Sequence, residues 1–184
     1  YGIDESLTFM IPGFMGTASG YDVGTDSHLY ETLVKNGVSK ADAKSFCQSA
    51  PTYWGEQPFT VGSVYAGAIV CFLFVLGLLI VKGPYKWALL VATFFSFALA
   101  WGKNWMWLTE LFFEYFPLYS KFRSVSSILI VAEVTVPLLG FLALKQIMDG
   151  TIDKKIINKN LYISAGITGG LCLIFALFGG SLFT

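Results

Sequence analysis

Residues 61–81 read VGSVYAGAIVCFLFVLGLLIV, a continuous stretch without a charged side chain. A transmembrane helix needs about 20 predominantly apolar residues to cross a hydrocarbon core of roughly 30 Å. This stretch therefore predicts a membrane-spanning helix. Further along the chain, three more apolar stretches predict spans at about 85–101, 126–144 and 161–180, so that we expect about four transmembrane helices.

The composition of the whole chain agrees with a membrane location. Of the 184 residues, 55% are hydrophobic and only 13% are charged, whereas a typical soluble domain carries roughly 25% charged residues. Too little polar surface remains to cover a globule, so we expect most of the surface to face lipid. The formal net charge of +0 provides no basic excess to neutralise phosphates, which argues against a nucleic-acid partner.

Two short helices are predicted in the N-terminal segment. Ser27 is placed to cap a helix that continues to about Asn36. Ser39, with Asp42 three residues later, forms a variant of the capping box for a second helix that ends before Pro51. The surrounding stretches are rich in glycine, proline and aromatic residues, so they predict ordered loops near a membrane interface.

The segment WMWLTELFFEYF, at about residues 105–116, predicts an amphipathic helix that lies in the membrane surface. Glu110 and Glu114 are four residues apart and share one face, while Leu108 and Phe112 lie elsewhere on the helical wheel. Because the polar face is acidic, we expect it to dock on protein rather than on anionic lipid.

The distribution of basic residues predicts the orientation of the chain. Loops 82–86 and 145–160 carry lysines at high density, so they are predicted to be cytoplasmic, with residues 1–60 and 102–125 on the other side. The predicted fold is therefore an all-α, polytopic helical membrane protein, in which an extracytoplasmic segment precedes a transmembrane region at 61–184. Both ends look cut, so we expect a fragment of a longer protein.

Glycines in the fourth predicted span indicate helix packing. Gly166 and Gly170 form a G-x-x-x-G motif, which allows two helices to approach closely.

The segment FPLYSKFRSVSS, residues 116–127, is the first candidate site. Lys121 and Arg123 lie where the chain re-enters the membrane, and Ser124 follows directly. An arginine fork with a lysine and hydroxyl groups suits a phosphate at headgroup depth. The alternative is that both basic residues are only interfacial anchors for lipid headgroups.

Glu133 is the second candidate, because a carboxylate inside a span is costly unless it faces a cavity or a partner. Pro137 follows four residues later and has no N–H to bond the carbonyl of Glu133. One interpretation is a polar pocket beneath Arg123. The other is a structural pair with a basic residue or a hydroxyl on another helix.

The N-terminal segment holds a group of titratable side chains, Asp22, Asp26, His28 and Glu31. Such a group is able to bind a cation or supply a general base, although solvated loop acids are the more common case. No metal site is predicted, because the cysteines form no C-x-x-C pair and His28 has no nearby cysteine or histidine partner. We predict no cofactor, and a divalent cation stays open.

Three stretches carry a family resemblance. They are YGIDESLTFMIPGFMGTAS at 1–19, PTYWGEQPFTVGSVYAGAIVCFLFVLGL at 51–78, and WGKNWMWLTELFFEYFPLYSKFRSVSSILIVAE at 101–133. Together they resemble the YfhO family of bacterial membrane proteins, in the form found in Bacteroides-type bacteria. The resemblance covers nearly the whole chain and weakens after about Leu144.

The resemblance implies an architecture similar to the GT-C glycosyltransferases of the bacterial inner membrane. Such a protein transfers a sugar from a polyprenyl-phosphate carrier to a cell-envelope acceptor. The catalytic acid of that class lies in the first extracytoplasmic loop, which is expected outside this fragment, so the resemblance does not make the fragment an enzyme by itself.

In this interpretation Lys121, Arg123 and Ser124 would bind the lipid phosphate. The aromatic residues near Trp54, together with Asp26 and His28, would line the path of the substrate. The implied partners are membrane lipids, the polyprenyl-phosphate-linked sugar and the rest of the full-length chain.

Two other functions stay open. A transporter or flippase of lipid-linked intermediates would use Glu133 and the kink at Pro137 as a gate. A non-catalytic membrane scaffold would need Arg123 and Glu133 only for folding.

Overall fold

The computed structural model describes residues 1–57, 59, 60, 62, 64–117, 119–121 and 124–182. Over these residues the chain is all-α, as predicted, and its strand-like pairing is limited to two isolated antiparallel bridges, Gly16–Tyr53 and Tyr21–Ala50. The chain divides into two compact units. One covers Gly2–Val64, and the other covers Tyr65–Thr184 together with Tyr1.

The two predicted helices of the N-terminal unit are confirmed. Helix α1 covers His28–Lys35, and its N-cap Ser27 accepts a hydrogen bond from a first-turn backbone N–H at 3.3 Å. Helix α2 covers Lys40–Cys47, and Ser39 Oγ accepts a hydrogen bond from the N–H of Asp42 at 3.2 Å. Each cap satisfies an N–H group that has no partner within its own helix.

Outside these helices, backbone hydrogen bonds join residues 15–23 to residues 47–60. Tyr21 and Ala50 exchange two of them, at 3.0 and 3.1 Å. The two segments approach closely at Gly16, where a Cβ atom would lie 1.7 Å from the carbonyl oxygen of Thr52 and where φ is +82°. Only glycine fits such a position, because it has no Cβ and tolerates a positive φ.

The second unit is a helical bundle in which α6 packs against α3 and α4, while α3 also packs against α7. Its helices are α3 (Ala68–Ile80), α4 (Tyr85–Ala100), α5 (Met106–Tyr115), α6 (Ile130–Met148) and α7 (Lys154–Leu182). The bounds of α4 and α5 agree closely with the stretches predicted from the sequence.

Glycines permit the close approach of α3 and α6. A Cβ atom on Gly77 would lie 2.7 Å from the carbonyl oxygen of Leu139, and one on Gly140 would lie 2.9 Å from Cβ of Leu73. By contrast, no described atom lies within 4 Å of a Cβ built on Gly166 or Gly170. Within the described part of the chain, the close contact predicted for the G-x-x-x-G motif therefore falls at a different pair of glycines.

Buried hydroxyl groups connect the helices of this unit. The hydroxyl oxygens of Thr93 on α4 and Thr135 on α6 are 2.7 Å apart. Ser164 on α7 is fully buried and donates a hydrogen bond of 2.7 Å to the carbonyl oxygen of Phe72 on α3. Such bonds are favourable in an apolar bundle, where a buried hydroxyl without a partner is costly.

Two helical stretches are long and apolar enough to cross a membrane. They are Val125–Met148, which includes a 3-10 turn before α6, and Lys154–Leu177 within α7. Tyr85–Ala100 and Gly102–Tyr115 qualify only as a pair, and the two are bent by 109°. The described residues thus contain two such spans, or three if the bent pair is one span, which supports a membrane protein but not the predicted number of four.

Among the described residues of the first predicted span, 61–81, those of Ala68–Ile80 are helical and the others are not. With 13 residues, α3 is about 20 Å long at ~1.5 Å per residue, which is shorter than a hydrocarbon core of roughly 30 Å. The helix begins late because its N-cap, Gly67, has a φ of +104°, a conformation that a right-handed helix does not contain. The apolar run alone therefore predicted a helix longer than α3.

The predicted loop 145–160 is also corrected, because α6 continues to Met148 and α7 already begins at Lys154. Asp153 explains the early start of α7. Its carboxylate accepts a hydrogen bond of 2.9 Å from the N–H of Lys155, as an N-cap side chain does. The lysines that follow Asp153 are good helix formers, so they belong to α7 and not to the loop that their charge had suggested.

The two lysine-bearing connections lie at the same end of the bundle. Lys82, directly after α3, and Lys145, in the last turn of α6, line one cavity of about 440 Å³. In the first turn of α4, Lys86 Nζ donates a hydrogen bond of 3.1 Å to the carbonyl oxygen of Leu78, near the end of α3. Both connections thus lie at one end of the bundle, and the side of the membrane on which they lie stays a prediction.

Candidate functional site

The connection between α5 and α6 presents the predicted phosphate-binding residues. Tyr119–Lys121 forms one 3-10 turn and Val125–Leu129 forms another. The side chains of Lys121 and Ser124 are exposed, and Ser124 Oγ lies 3.0 Å from Ser126 Oγ. The third predicted residue, Arg123, lies outside the described residues.

A hydrogen bond from α4 positions this connection. Ser96 is buried, and its Oγ donates a hydrogen bond of 2.7 Å to the carbonyl oxygen of Ile128. Ile128 also packs against a cluster of buried residues that includes Leu99 of α4 and Leu108 of α5. The start of the Val125–Met148 span is therefore attached to the end of α4 by both a polar and an apolar contact.

Aromatic side chains surround the same region. The rings of Trp101 and Trp105 stack with their centroids 5.7 Å apart, and Phe112 lies 5.8 Å from Tyr119. Burial raises the pKa of the Tyr119 hydroxyl above its usual value of 10.0, so this group stays protonated at neutral pH. Tryptophan and tyrosine are enriched at the interface between lipid and water, which suits a site at headgroup depth.

The acidic face of α5 points away from this cluster. Glu110 and Glu114 are exposed, whereas Leu108 is buried and Phe112 contacts the ring of Tyr119. The bend of 109° between α4 and the Gly102–Tyr115 segment places α5 nearly perpendicular to α4. If α4 crosses a membrane, α5 therefore runs close to the membrane plane, as the sequence predicts.

Glu133 lies on an exposed apolar face of α6. Its neighbours on that face include Ile130 and Val134, which are 63% and 60% exposed. Among the described residues, no side chain or backbone group forms a hydrogen bond or an ion pair with its carboxylate. The described residues therefore do not enclose Glu133 in a pocket, and the Arg123 side of the hypothetical pocket lies outside them.

The N-terminal candidates are surface residues of their own unit. Asp26 and His28 are exposed, and Trp54 is 71% exposed. His28 Nδ1 lies 3.8 Å from a carboxylate oxygen of Glu31. In the described part of the chain, no group of three or more histidine, cysteine, aspartate or glutamate side chains is arranged to hold a metal ion.

Sequence reasoning missed a buried carboxylate in the N-terminal unit. Glu5 is only 2% exposed and accepts a hydrogen bond from the N–H of Gly2. A Cβ atom on Gly55 would lie 2.0 Å from Glu5 Oε1 and 2.2 Å from the hydroxyl oxygen of Tyr53. Glycine at position 55 thus leaves room for a carboxylate beside a phenol. Glu5 lies in a segment where polar and apolar residues follow no regular spacing, so the sequence did not indicate that it is buried.

Comparisons of the chain with protein-family models, curated proteins and solved structures find no match.

Proposed function

We propose that the chain is part of a multi-pass, glycosyltransferase-like protein of the bacterial inner membrane, which transfers a sugar from a polyprenyl-phosphate carrier to a cell-envelope acceptor. One observation carries the proposal. Lys121 and Ser124 are exposed in the connection that leads into the Val125–Met148 span, where Ser124 Oγ also lies 3.0 Å from Ser126 Oγ. A cationic group and hydroxyl groups at the start of a span match the phosphate of a lipid carrier.

The electrostatics of this region support an anionic ligand. The backbone N–H groups at the start of a helix favour a nearby negative charge, and Ser124 makes no capping hydrogen bond with its side chain. With Ser126 as the donor in their contact of 3.0 Å, the Ser124 hydroxyl is able to donate to a phosphate oxygen. In the proposed reaction, Lys121, Arg123 and Ser124 stabilise the negative charge that develops on the departing polyprenyl phosphate. The acid that activates the acceptor hydroxyl belongs to the rest of the full-length protein.

The test is sugar transfer from a labelled polyprenyl-phosphate sugar by the full-length protein in membranes. Arg123→Ala and Lys121→Ala are compared with wild type and with Lys82→Ala at matched expression. Lys82 is an exposed lysine at the other end of the bundle, so its variant removes the same charge far from the proposed site. We expect transfer to collapse in the first two variants and to persist in the third.

The other outcomes have distinct meanings. If both variants transfer sugar as well as wild type does, the glycosyltransferase proposal would stand. Lys121 and Arg123 would then act only as anchors for lipid headgroups. No transfer with any donor would contradict the glycosyltransferase. It would favour a transporter of lipid-linked intermediates, for which Glu133 on the exposed face of α6, one turn before Pro137, is the supporting observation.

A further inference from the structure

The exposed face of α6 contains an ionisable residue at membrane depth. Glu133 lies roughly 14 Å along the span from Val125, at ~2.0 Å per residue in the 3-10 turn and ~1.5 Å per residue in α6. The exposed side chains on this face are Ile130, Glu133, Val134, Leu138 and Phe141, which we call the Glu133 face. The opposite face packs inside the bundle through residues that include Ala132 and Leu139.

This face does not suit contact with lipid alone. A carboxylate in the hydrocarbon region is costly, and such groups usually face a protein interior or an aqueous cavity. The residues around Glu133 are apolar, and the structure shows no partner for its carboxylate among the described residues. A group that covers this face therefore has to be apolar over most of it and polar at the edge that holds Glu133.

The chemistry of Glu133 specifies which polar group suits this edge of the face. Its carboxylate accepts hydrogen bonds and, when ionised, carries a negative charge. Its backbone carbonyl is a second acceptor, because Pro137 has no N–H to occupy it. A lysine or arginine side chain has several donors as well as the complementary charge, so it suits this face better than a neutral donor does.

We propose that the Glu133 face is the docking surface for a membrane-spanning helix outside these 184 residues, which carries a lysine or arginine at the depth of Glu133. The surrounding side chains Ile130, Val134 and Phe141 pack against the apolar surface of that helix. This inference does not depend on sugar transfer, since it requires only that α6 crosses a membrane.

The first experiment identifies the neighbour in the wild-type background. A photo-crosslinking amino acid replaces Val134 in the full-length protein in its native membranes, and the crosslinked peptides are identified by mass spectrometry. We expect a peptide from an apolar helix with a lysine or arginine within one turn of the crosslinked position. Crosslinks only to lipid, to a helix without a basic residue, or to a second copy of α6 would each overturn the proposal.

The second experiment tests the charge pair. If Glu133 is paired with a cation, Glu133→Leu leaves that cation buried and unpaired, so we expect the crosslink yield and the membrane abundance to fall severalfold. Val134→Leu, an apolar change on the same face, should have little effect. If Glu133 instead faces lipid, Glu133→Leu should leave abundance unchanged or raise it, which would contradict the pair.

A charge exchange completes the test. Glu133→Lys should lower abundance, and replacing the crosslinked basic residue by glutamate in the same protein should restore it. Ile130→Lys is the matched control, because it places a lysine on the same exposed face about one turn away. Replacing the crosslinked basic residue by glutamate should restore the abundance of Ile130→Lys less than it restores that of Glu133→Lys. Equal rescue of both variants would show that the effect is not specific to Glu133.

Discussion

Thr93 Oγ1 on α4 lies 2.7 Å from Thr135 Oγ1 on α6, and both side chains are buried in the bundle. Thr93 also donates a hydrogen bond of 2.8 Å to the carbonyl oxygen of Leu89. Since a hydroxyl has one proton, Thr135 must be the donor and Thr93 the acceptor in the bond between the helices. The two residues therefore have different roles in a contact that looks symmetric.

This assignment predicts that the two valine variants differ in cost. Thr93→Val removes the acceptor and leaves the buried Thr135 donor without this partner, so we expect a loss of about 1–2 kcal/mol in the free energy of unfolding. Thr135→Val leaves Thr93 bonded to Leu89 and should cost less. The measurement is denaturant unfolding of the full-length protein in detergent, with the double variant to complete a mutant cycle. Equal costs for the single variants would contradict the assignment.

The close contact between α3 and α6 predicts that alanine substitutions at Gly77 and Gly166 change the stability by different amounts. An alanine at position 77 would place its Cβ 2.7 Å from the carbonyl oxygen of Leu139, so we expect Gly77→Ala to destabilise the protein by about 1–3 kcal/mol. Gly166→Ala should be neutral or stabilise by up to about 1 kcal/mol, because that site is open and alanine is the better helix former. Thermal unfolding in detergent measures both. A large loss for Gly166→Ala would instead show that another helix packs against the G-x-x-x-G motif.

The cap of α7 provides a third prediction. Asp153→Ala removes the acceptor of the Lys155 N–H and should cost about 1 kcal/mol, whereas Asp153→Ser should retain most of the stability. Hydrogen exchange at the first turn of α7 measures the effect locally. Asp149→Ala is the control, since Asp149 is the C-cap residue of α6 and lies beside the same connection, but outside the first turn of α7. Equal exchange in Asp153→Ala and wild type would be evidence against the cap.

The bond between Ser96 and Ile128 predicts an effect at the candidate site. Ser96→Ala should increase hydrogen exchange over Val125–Leu129 and lower the affinity for the phosphate donor, because the connection loses its polar attachment to α4. Ser164→Ala is a matched control, since it removes a bond of the same length, 2.7 Å, from another helix pair. Both variants should lose about 1 kcal/mol of stability, but only the first should alter the Val125–Leu129 segment. The same exchange in that segment for both would contradict a positioning role for Ser96.

Local sequence patterns predicted the helices whose ends depend on local chemistry. Ser27 and Ser39 cap their helices as expected, because a cap is formed by residues a few positions apart. The bounds of α4 and α5 follow likewise from turn residues at their ends. In contrast, the late start of α3 depends on the backbone conformation of Gly67, which an apolar pattern does not encode.

Contacts between distant parts of the chain could not be predicted in this way. Gly77 approaches Leu139, and Gly140 approaches Leu73, across two helices without a shared motif. Gly166 and Gly170 have the motif, but no described atom lies within 4 Å of a Cβ built on either. The exposure of Glu133 likewise depends on which face of α6 packs against α3 and α4. For the candidate site, the sequence indicated Lys121 and Ser124 as candidate phosphate ligands. It did not indicate Ser96, whose buried hydroxyl holds the connection in place.

The short length of α3 and α4 has a consequence for the surrounding lipid. At ~1.5 Å per residue, their 13 and 16 residues measure about 20 Å and about 24 Å. A bilayer that meets both ends of these helices must thin locally or draw flanking polar residues inward. Thinning at the end of α4 would bring the headgroup plane closer to the connection that holds Lys121 and Ser124. In the proposed function, such thinning would shorten the distance between the headgroup plane and the residues that bind the lipid-linked phosphate.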